Sequence, residues 1–269
     1  MTQENDLPDS SSPQSRVAPF TERMANWPWW LIVAIMLGLF VILQITTNER
    51  MTVIFKAISA GIVITLRVTL MAYLLAVTIG LIVGFARVSS NKIIFNVASF
   101  YVELVRGIPI LVLLMYIAFV AVPIVADFFG FSTRDFPNEL RVVLGLAVAY
   151  GAFESEIFRA GIQSIEKGQM EAARALGMNY FQAMRHIIIP QAVRRILPAL
   201  GNDFVAMLKD SSLVSVLGVQ DITQLTKLYA ASTFLFFQSY SILAFIYLSM
   251  TVLLSRLVRT LEVKLSAYR

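Results

Sequence analysis

Apolar and polar stretches alternate along the chain on the length scale of membrane crossings. A helix needs about 20 apolar residues to cross the hydrocarbon core of a bilayer. Stretches of at least that length lie at residues 27–46, 57–87, 91–126, 141–162, 187–208 and 239–265. The pattern predicts an all-α integral membrane protein with about six transmembrane helices.

Composition supports the membrane class. The chain is 58% hydrophobic and 14% charged, with a mean hydropathy of +0.73. Its net charge of +5 suits nucleic acid, but in a membrane protein an excess of Lys and Arg more often marks cytoplasmic loops. We therefore expect the lipid bilayer, and no nucleic acid, as a partner. Since the chain has no cysteine and one histidine, we expect no metal site.

The first 26 residues differ from everything that follows. Residues 1–26 are rich in Ser, Pro and acidic side chains and have no apolar period, which predicts a disordered tail. Glu4, Asp6 and Asp9 stand where a signal peptide needs a basic start. The segment 27–46 is therefore expected to remain as an uncleaved transmembrane helix.

Basic residues in the connecting segments predict the orientation. Lys and Arg are more frequent around residues 87–92, 159–195 and 256–269 than in the alternate set of connections. The richer set is expected in the cytosol. Both termini, and the polar segment 163–186, then lie on the cytosolic side.

The polar segment contains the stretch "EAARALGMNYFQAMRHIIIP", residues 171–190. It is long for a connection between neighbouring spans. One interpretation is a solvated amphipathic linker. The other is a docking element, because a helix at 169–176, a bend at Gly177 and a second helix form two short helices at an angle that fit a partner's groove.

Within this stretch the residues resemble the EAA signature of permease subunits of ABC importers. The matching positions are Glu171, Ala172, Ala173, Gly177, Ile187, Ile189 and Pro190. In that family the loop is a coupling helix that enters a cleft on a cytosolic ATPase. The resemblance implies a coupling loop at 163–186, with the ATPase contacted through Glu171, Ala172, Ala173 and Gly177.

Other segments resemble the polar amino-acid branch of these permeases, which handles substrates of the His, Glu, Gln and Arg type. They include "YVELVRGIPILVLLMYIAF" and "LPALGNDFVAMLKDSSLVSV". The branch usually has Thr where this chain has Ile108 and Ser211. The resemblance implies a five-helix type I importer core within 57–265, preceded by an extra N-terminal helix.

The same resemblance implies the partners. They are a cytosolic ABC ATPase dimer, a second permease subunit that is identical or homologous, and an extracytoplasmic amino-acid-binding protein, in a bacterial inner membrane. The chain lacks the Gly-rich phosphate loop ending in Gly-Lys-Ser or Gly-Lys-Thr. ATP and Mg are therefore expected on the partner ATPase, and this chain is expected to bind no cofactor and to be no enzyme.

Charged residues inside apolar segments are candidates for the substrate pathway. Glu103 and Arg106 have i, i+3 spacing and can form a structural pair. Arg106 also lies beside Gly107 and Pro109, which interrupt the helix, so it is alternatively a gate residue or a contact for a substrate carboxylate.

Glu154 and Glu156 are two residues apart, so on a helix they point roughly 200° apart. Glu156 is expected to pair with Arg159, three residues on. Glu154 shares a stripe with Tyr150 and Phe158. It is expected to hold a substrate ammonium, or to pair with a basic residue on another span.

A further polar set follows in the fifth span and comprises Asn202, Asp203, Lys209, Asp210 and Ser211. Lys209 and Asp210 can neutralise each other. Alternatively, Asp210 and Ser211 border the pathway where a discontinuous helix offers free backbone groups. The substrate-pathway candidates are thus Arg106, Glu154, Asn202, Asp203, Asp210 and Ser211.

Two functions fit these observations. The first is the membrane subunit of an ATP-driven importer of polar or charged amino acids. The alternative is a self-sufficient carrier driven by an ion gradient, which intramembrane acids also permit. Such carriers usually consist of two related halves, and the sequence shows no convincing internal repeat.

Overall fold

The computed structural model describes residues 29–266, and every regular element within that range is helical. The predicted tail at 1–26 lies outside the described residues. Up to the outer loop, the α-helices are α1 Trp29–Thr47, α2 Glu49–Ser59, α3 Gly61–Ala86, α4 Lys92–Gly107, α5 Ile110–Tyr116 and α6 Val122–Phe128. After it come α7 Asn138–Gln163, α8 Lys167–Ala175, α9 Tyr180–Ala183, α10 Ile189–Asp210, α11 Ile222–Thr233 and α12 Phe236–Ser266.

Short segments of other helical types join some of these helices. Two are π-helical, Ile117–Ala121 and Met184–Ile188. Two are 3₁₀-helical, Thr133–Asp135 and Ser211–Leu217. In the part of the chain that is described, three stretches are long and apolar enough to cross a membrane, namely Glu49–Ala86, Ile110–Phe128 and Phe236–Lys264. A shorter apolar helix covers Ile32–Thr47.

The third predicted span is broken where the sequence indicated. Helix α4 ends at Gly107, Ile108 has an extended backbone, and α5 begins directly after Pro109. Proline disfavours the helical conformation in the residue before it, which accounts for the extended Ile108. The break separates α4 from the continuous run of α5, the π-helical turn and α6.

The start of the second predicted span needs correction. Residues 57–60 do not begin that span, because a separate helix, α2, occupies 49–59 and α3 begins at Gly61. Asn48 caps α2 by accepting a hydrogen bond from the Arg50 N–H at 3.0 Å. The polar Thr47-to-Arg50 stretch hid this helix, whose buried side chains are Met51, Ile54 and Ile58.

The core of the molecule is formed by α3 and α7, which lie side by side and run parallel. Their matched positions are Gly80 against Glu154 and Gly84 against Phe158. Along α3, small buried residues recur every fourth position at Ala72, Ala76, Gly80 and Gly84. Small residues at this spacing let two membrane helices approach closely.

Helix α10 crosses this pair and also contacts α12. Gly161 of α7 packs on Ile196, and Gly201 packs on Val258. The Tyr73 hydroxyl of α3 donates a hydrogen bond to the Leu200 carbonyl at 2.7 Å. These contacts bring the polar residues in the last turns of α10 to the middle of α7.

Candidate functional site

The polar segment forms the short helix α8, a bend at Gly177 and then α9, which continues without a break through the π-helical turn Met184–Ile188 into α10. Gly177 has φ +85°, a left-handed conformation that disfavours residues with a side chain. Its N–H donates to the Arg174 carbonyl and the Met178 N–H donates to the Ala173 carbonyl. This pair of hydrogen bonds is a Schellman motif, which ends α8 and turns the chain.

The second helix starts with an equally specific cap. The Asn179 side chain accepts from the Gln182 N–H at 2.9 Å, and the Gln182 side chain accepts from the Asn179 N–H at 2.9 Å. This reciprocal capping box determines where α9 begins. The predicted helix and bend are therefore present, but the prediction of a second short helix is wrong, because α9 is the first turn of a continuous helical run that includes α10.

The four predicted coupling residues have different environments. Glu171 and Ala172 are exposed, whereas Ala173 is buried against the rest of the chain. Ala173 is therefore placed to let α8 pack closely, and Glu171 and Ala172 face outward. Gly177 is exposed, with open space where a side chain would project.

Sequence reasoning missed three bulky apolar side chains on this loop. Leu176 and Phe181 are each 82% exposed, and Tyr180 is 57% exposed. They lie on both sides of the Gly177 bend and form what we call the loop patch. The available signal was the presence of large apolar residues directly beside a bend in a polar segment.

Glu154 of α7 has no exposed surface. Gly80 packs against its Cβ, and its carboxyl group neighbours that of Asp203 on α10. Neither carboxylate oxygen of Glu154 accepts a hydrogen bond from an N–H or hydroxyl group of the described residues. The expected alternative of a basic partner on another span is wrong for that part of the chain, because the neighbour is a second acid.

Two more polar residues continue from this pair. The Tyr150 hydroxyl, one helical turn from Glu154, donates to the Asp210 carboxylate at 2.8 Å. Because Asp210 follows Asp203 by seven residues, both lie on one face of α10. We call Glu154, Asp203, Tyr150 and Asp210 the acidic row.

The remaining members of the polar set are Asn202 and Lys209 of α10 and Ser211, which directly follows α10. Lys209 is exposed and forms no ion pair with Asp210, so the predicted mutual neutralisation does not occur between them. The Ser211 side chain is buried and donates to the Leu208 carbonyl at 2.7 Å, at the point where α10 becomes 3₁₀-helical. Asn202 is exposed.

Glu156 lies on a different face of α7 and is surrounded by arginines. Its carboxylate is 2.5 Å from Arg87, 2.7 Å from Arg159 and 3.4 Å from Arg106. The predicted pair with Arg159 is confirmed. These three ion pairs, which we call the arginine cluster, join the ends of α3 and α4 to α7.

The Glu103–Arg106 pair is wrong as a prediction. Arg106 turns to Glu156, and its guanidinium lies 5.5 Å from the centroid of the Phe153 ring. The additional cation–π contact and the shared carboxylate outweigh the solvated i, i+3 pair. Arg106 and Glu154 consequently belong to separate groups of residues.

Comparison with known proteins identifies the family. Residues 76–267 match the model of the family described as binding-protein-dependent transport system inner membrane component. The chain belongs to this family. The acidic row, the arginine cluster and the polar segment 163–186 all lie within the matched range. Helices α1 and α2 precede it.

Two curated relatives of this inner membrane component are similar over most of its length. The glutamine transport system permease protein GlnP of Escherichia coli (strain K12) is 35% identical over 202 residues, which cover 75% of this chain and 90% of the relative. The histidine/lysine/arginine/ornithine transport system permease protein HisQ of Salmonella typhimurium is 34% identical over 205 residues, with coverage of 75% and 90%.

A solved structure described as an amino acid ABC transporter with histidines matches with a TM-score of 0.72 and 40% identity. The match covers 80% of this inner membrane component and 97% of that chain. The MetNI methionine ABC transporter shares the fold, with a TM-score of 0.65 at 18% identity. The chain is a transport subunit rather than an enzyme, and its family favours the importer over the ion-gradient carrier.

Proposed function

We propose that this chain is the membrane-spanning subunit of an ATP-driven ABC importer, and that it moves polar or charged amino acids delivered by an external binding protein. The named relatives and the solved amino acid transporter support the cargo class. The observation that carries the proposal is the loop patch on a rigidly capped bend. We also propose that the chain crosses a bacterial inner membrane six times, with both termini in the cytosol.

The loop patch is suited to docking on an ATPase. Bulky apolar side chains that are more than half exposed are stabilised when they insert into a partner's groove. The Schellman motif and the capping box fix the angle between α8 and α9, so a movement of the ATPase is transmitted as a movement of a rigid element. The ATPase dimer holds ATP and Mg, and a second permease subunit completes the pathway.

The coupling role is tested by replacing Gly177 with Leu. A Cβ in the left-handed conformation costs about 1–2 kcal/mol, and relieving that strain changes the bend. We expect ATP-driven uptake in liposomes containing the ATPase and binding protein to fall at least about tenfold, a factor equivalent to 1.4 kcal/mol of coupling. Gly168→Ala is the matched control, because Gly168 lies on the same loop with no residue near its Cβ position and no positive φ.

Two outcomes would contradict the proposal at different levels. Normal uptake by the Gly177→Leu protein would show that the bend has no role in coupling. Uptake of amino acids by the purified chain without ATP and an ATPase would contradict the proposal that the chain belongs to an ATP-driven importer.

We propose that the acidic row forms the part of the pathway that holds a cargo ammonium. A buried carboxylate without a counter-charge is costly, and an arriving cation offsets that cost. Asp203 and Asp210 extend the same line of acids along α10, with Ser211 and Asn202 beside it. These positions favour cargo with a positively charged group.

Arg106 is proposed for a second role on the other face of α7. It is the most exposed arginine of the cluster, at 44%, and has the longest contact to Glu156. It lies in the last turn of α4, two residues before the extended Ile108 at the α4–α5 break. A guanidinium in this place can serve as a gate or receive a cargo carboxylate.

A further inference from the structure

Glu103 of α4 is a charge whose expected partner is engaged elsewhere. Its side chain is exposed, and Arg106, one turn away, contacts Glu156. Within residues 29–266 no basic side chain forms an ion pair with Glu103. An acid on an apolar helix then needs a partner outside residues 29–266 of this copy.

Contacts on either side of Glu103 place it level with the middle of α7. The Tyr101 hydroxyl donates to the Val148 carbonyl at 2.6 Å, and Arg106 reaches Phe153 and Glu156. Since α7 spans Asn138–Gln163, these contacts fall in its central and following turns. At that depth a carboxylate facing lipid is strongly unfavourable.

Lys209 of α10 is the complementary case. Its side chain is exposed, and it takes part in none of the ion pairs of the described chain. The next residue, Asp210, accepts a hydrogen bond from Tyr150, so Lys209 is also level with the middle of α7. The described part of one chain therefore presents an acid and a base that form no ion pair within it, at the same depth, on two helices that each pack against α7.

We propose that a second copy of this chain covers Glu103, and that Glu103 of each copy pairs with Lys209 of the other. A two-fold interface requires self-complementary patches, in which residue i meets j and j meets i. Equal depth and opposite charge satisfy that requirement. Around Glu103, α4 exposes Val97, Phe100 and Leu104, at 65%, 68% and 51%. These side chains would surround the ion pair and exclude lipid and water.

The inference rests on the proposed function, because it assigns the second permease subunit of the importer to this same chain. It also accounts for the orientation of Arg106, whose engagement with Glu156 leaves the Glu103 carboxylate available. The pair would cross the interface twice, once for each copy.

Disulfide cross-linking is a direct test, since the chain has no cysteine of its own. Chains carrying both Glu103→Cys and Lys209→Cys are oxidised in native membranes together with the ATPase. We expect a dimer of twice the 30.0 kDa chain mass on a non-reducing gel, with the 103–209 linkage identified by mass spectrometry. The matched control pairs Glu103→Cys with Lys227→Cys, an exposed lysine on α11.

Charge exchange provides a second measurement that does not depend on cysteine geometry. Glu103→Lys alone should lower the dimer fraction of the detergent-purified permease about tenfold, as expected for an interhelical polar contact in a membrane. The double change Glu103→Lys with Lys209→Glu should restore it. A dimer fraction that the single change leaves unaltered would overturn the pairing.

The outcomes separate this inference from the proposed function. Absence of the 103–209 linkage in a complex that still performs ATP-driven uptake would overturn the pairing and leave the importer intact. Linkage of Lys209→Cys to a different permease protein would overturn the second copy as the partner. A 103–209 dimer without ATP-driven uptake would support the pairing and count against the importer.

Discussion

Glu154 and Glu156 are identical in chemistry and two residues apart, yet their surroundings are opposite. Glu154 has no exposed surface and an acid as its neighbour, and its carboxylate oxygens accept no hydrogen bond from an N–H or hydroxyl group of the described residues. Glu156 is 24% exposed and contacts three arginines. The helical turn of α7 directs one carboxylate toward α3 and α10 and the other toward the ends of α3 and α4.

The comparison teaches which intramembrane charges to assign to structure and which to function. A carboxylate that saturates its bonds with arginines stabilises helix packing and has little capacity left for a ligand. A buried carboxylate with unused bonding capacity persists at a cost to stability, which is expected when a ligand completes it. The following substitutions test this distinction, from the largest expected effect to the smallest.

Gly80→Leu should have the largest effect, because it removes the space on which the Glu154 environment depends. A Cβ at Gly80 would lie 2.3 Å from the Glu154 Cβ and 3.0 Å from backbone atoms of Glu154 and Ser155. Overpacking of this kind costs about 3 kcal/mol or more, since backbone has to move. Thermal unfolding of the detergent-purified protein measures it. Gly38→Ala is the control, because a Cβ at Gly38 would lie 3.7 Å from its nearest neighbour, the Phe245 side chain. Equal melting temperatures for the two variants would contradict the close approach of α3 and α7.

Glu156→Gln should destabilise the chain by roughly 2–3 kcal/mol, less than for a fully buried pair because solvent reaches part of the cluster. The substitution leaves three guanidinium groups close together. Arg87 has a 10% exposed side chain and a buried Nε without a hydrogen-bond partner among the described atoms, so it cannot escape to water. Chemical denaturation reports the change in free energy, and Glu166→Gln, an exposed acid, is the control.

If Glu156→Gln unfolds like the unchanged protein but loses transport selectivity, the assignment of the two acids is reversed. That result would make the arginine cluster a cargo site. The comparison therefore depends on measuring stability and uptake on the same preparations.

Glu154→Gln should leave stability equal or slightly higher, because it removes a buried carboxylate that lacks a counter-charge. Its effect should appear in selectivity, as a fall of about tenfold in the uptake of Arg relative to Gln, equivalent to about 1.4 kcal/mol of lost attraction. Competition uptake with Arg, Gln and Glu in the reconstituted importer measures this. Unchanged relative uptake of the three would contradict the cargo role of the acidic row.

Much of the fold follows from local patterns. The apolar stretches, the break before Pro109 and the bend at Gly177 are all consequences of residue chemistry within a few positions. Helix α2 was missed because its amphipathic pattern begins inside a polar turn. Its buried face, including Ile54 and Ile58, is recognisable only once α11 and α12 supply the surface it packs on.

Contacts between distant helices were less predictable. Spacing alone paired Glu103 with Arg106 and Lys209 with Asp210, but the structure directs Arg106 to Glu156 and Asp210 to Tyr150. In both cases a partner 50 or 60 residues away replaces a sequence neighbour. Local spacing cannot weigh such alternatives, since the outcome depends on how α4 and α10 cross α7.

Arg67→Gln should have the smallest effect and shows whether burial is what gives the arginine cluster its strength. The structure pairs Arg67 with Glu139. Both side chains are well exposed, at 54% and 42%, so the pair should contribute at most about 0.5–1 kcal/mol. A double-mutant cycle with Glu139→Gln isolates the interaction from other effects of each substitution.

The coupling energy from this cycle can be compared with the coupling energy from a second double-mutant cycle on Arg87 and Glu156. An exposed pair is weakened by water and salt, whereas the Arg87–Glu156 pair is largely shielded from both. Raising the salt concentration should therefore abolish the Arg67–Glu139 coupling energy and leave most of the Arg87–Glu156 coupling energy. Equal coupling energies and equal salt dependence would show that the number of arginines, and not their burial, distinguishes Glu156 from the other acids of α7.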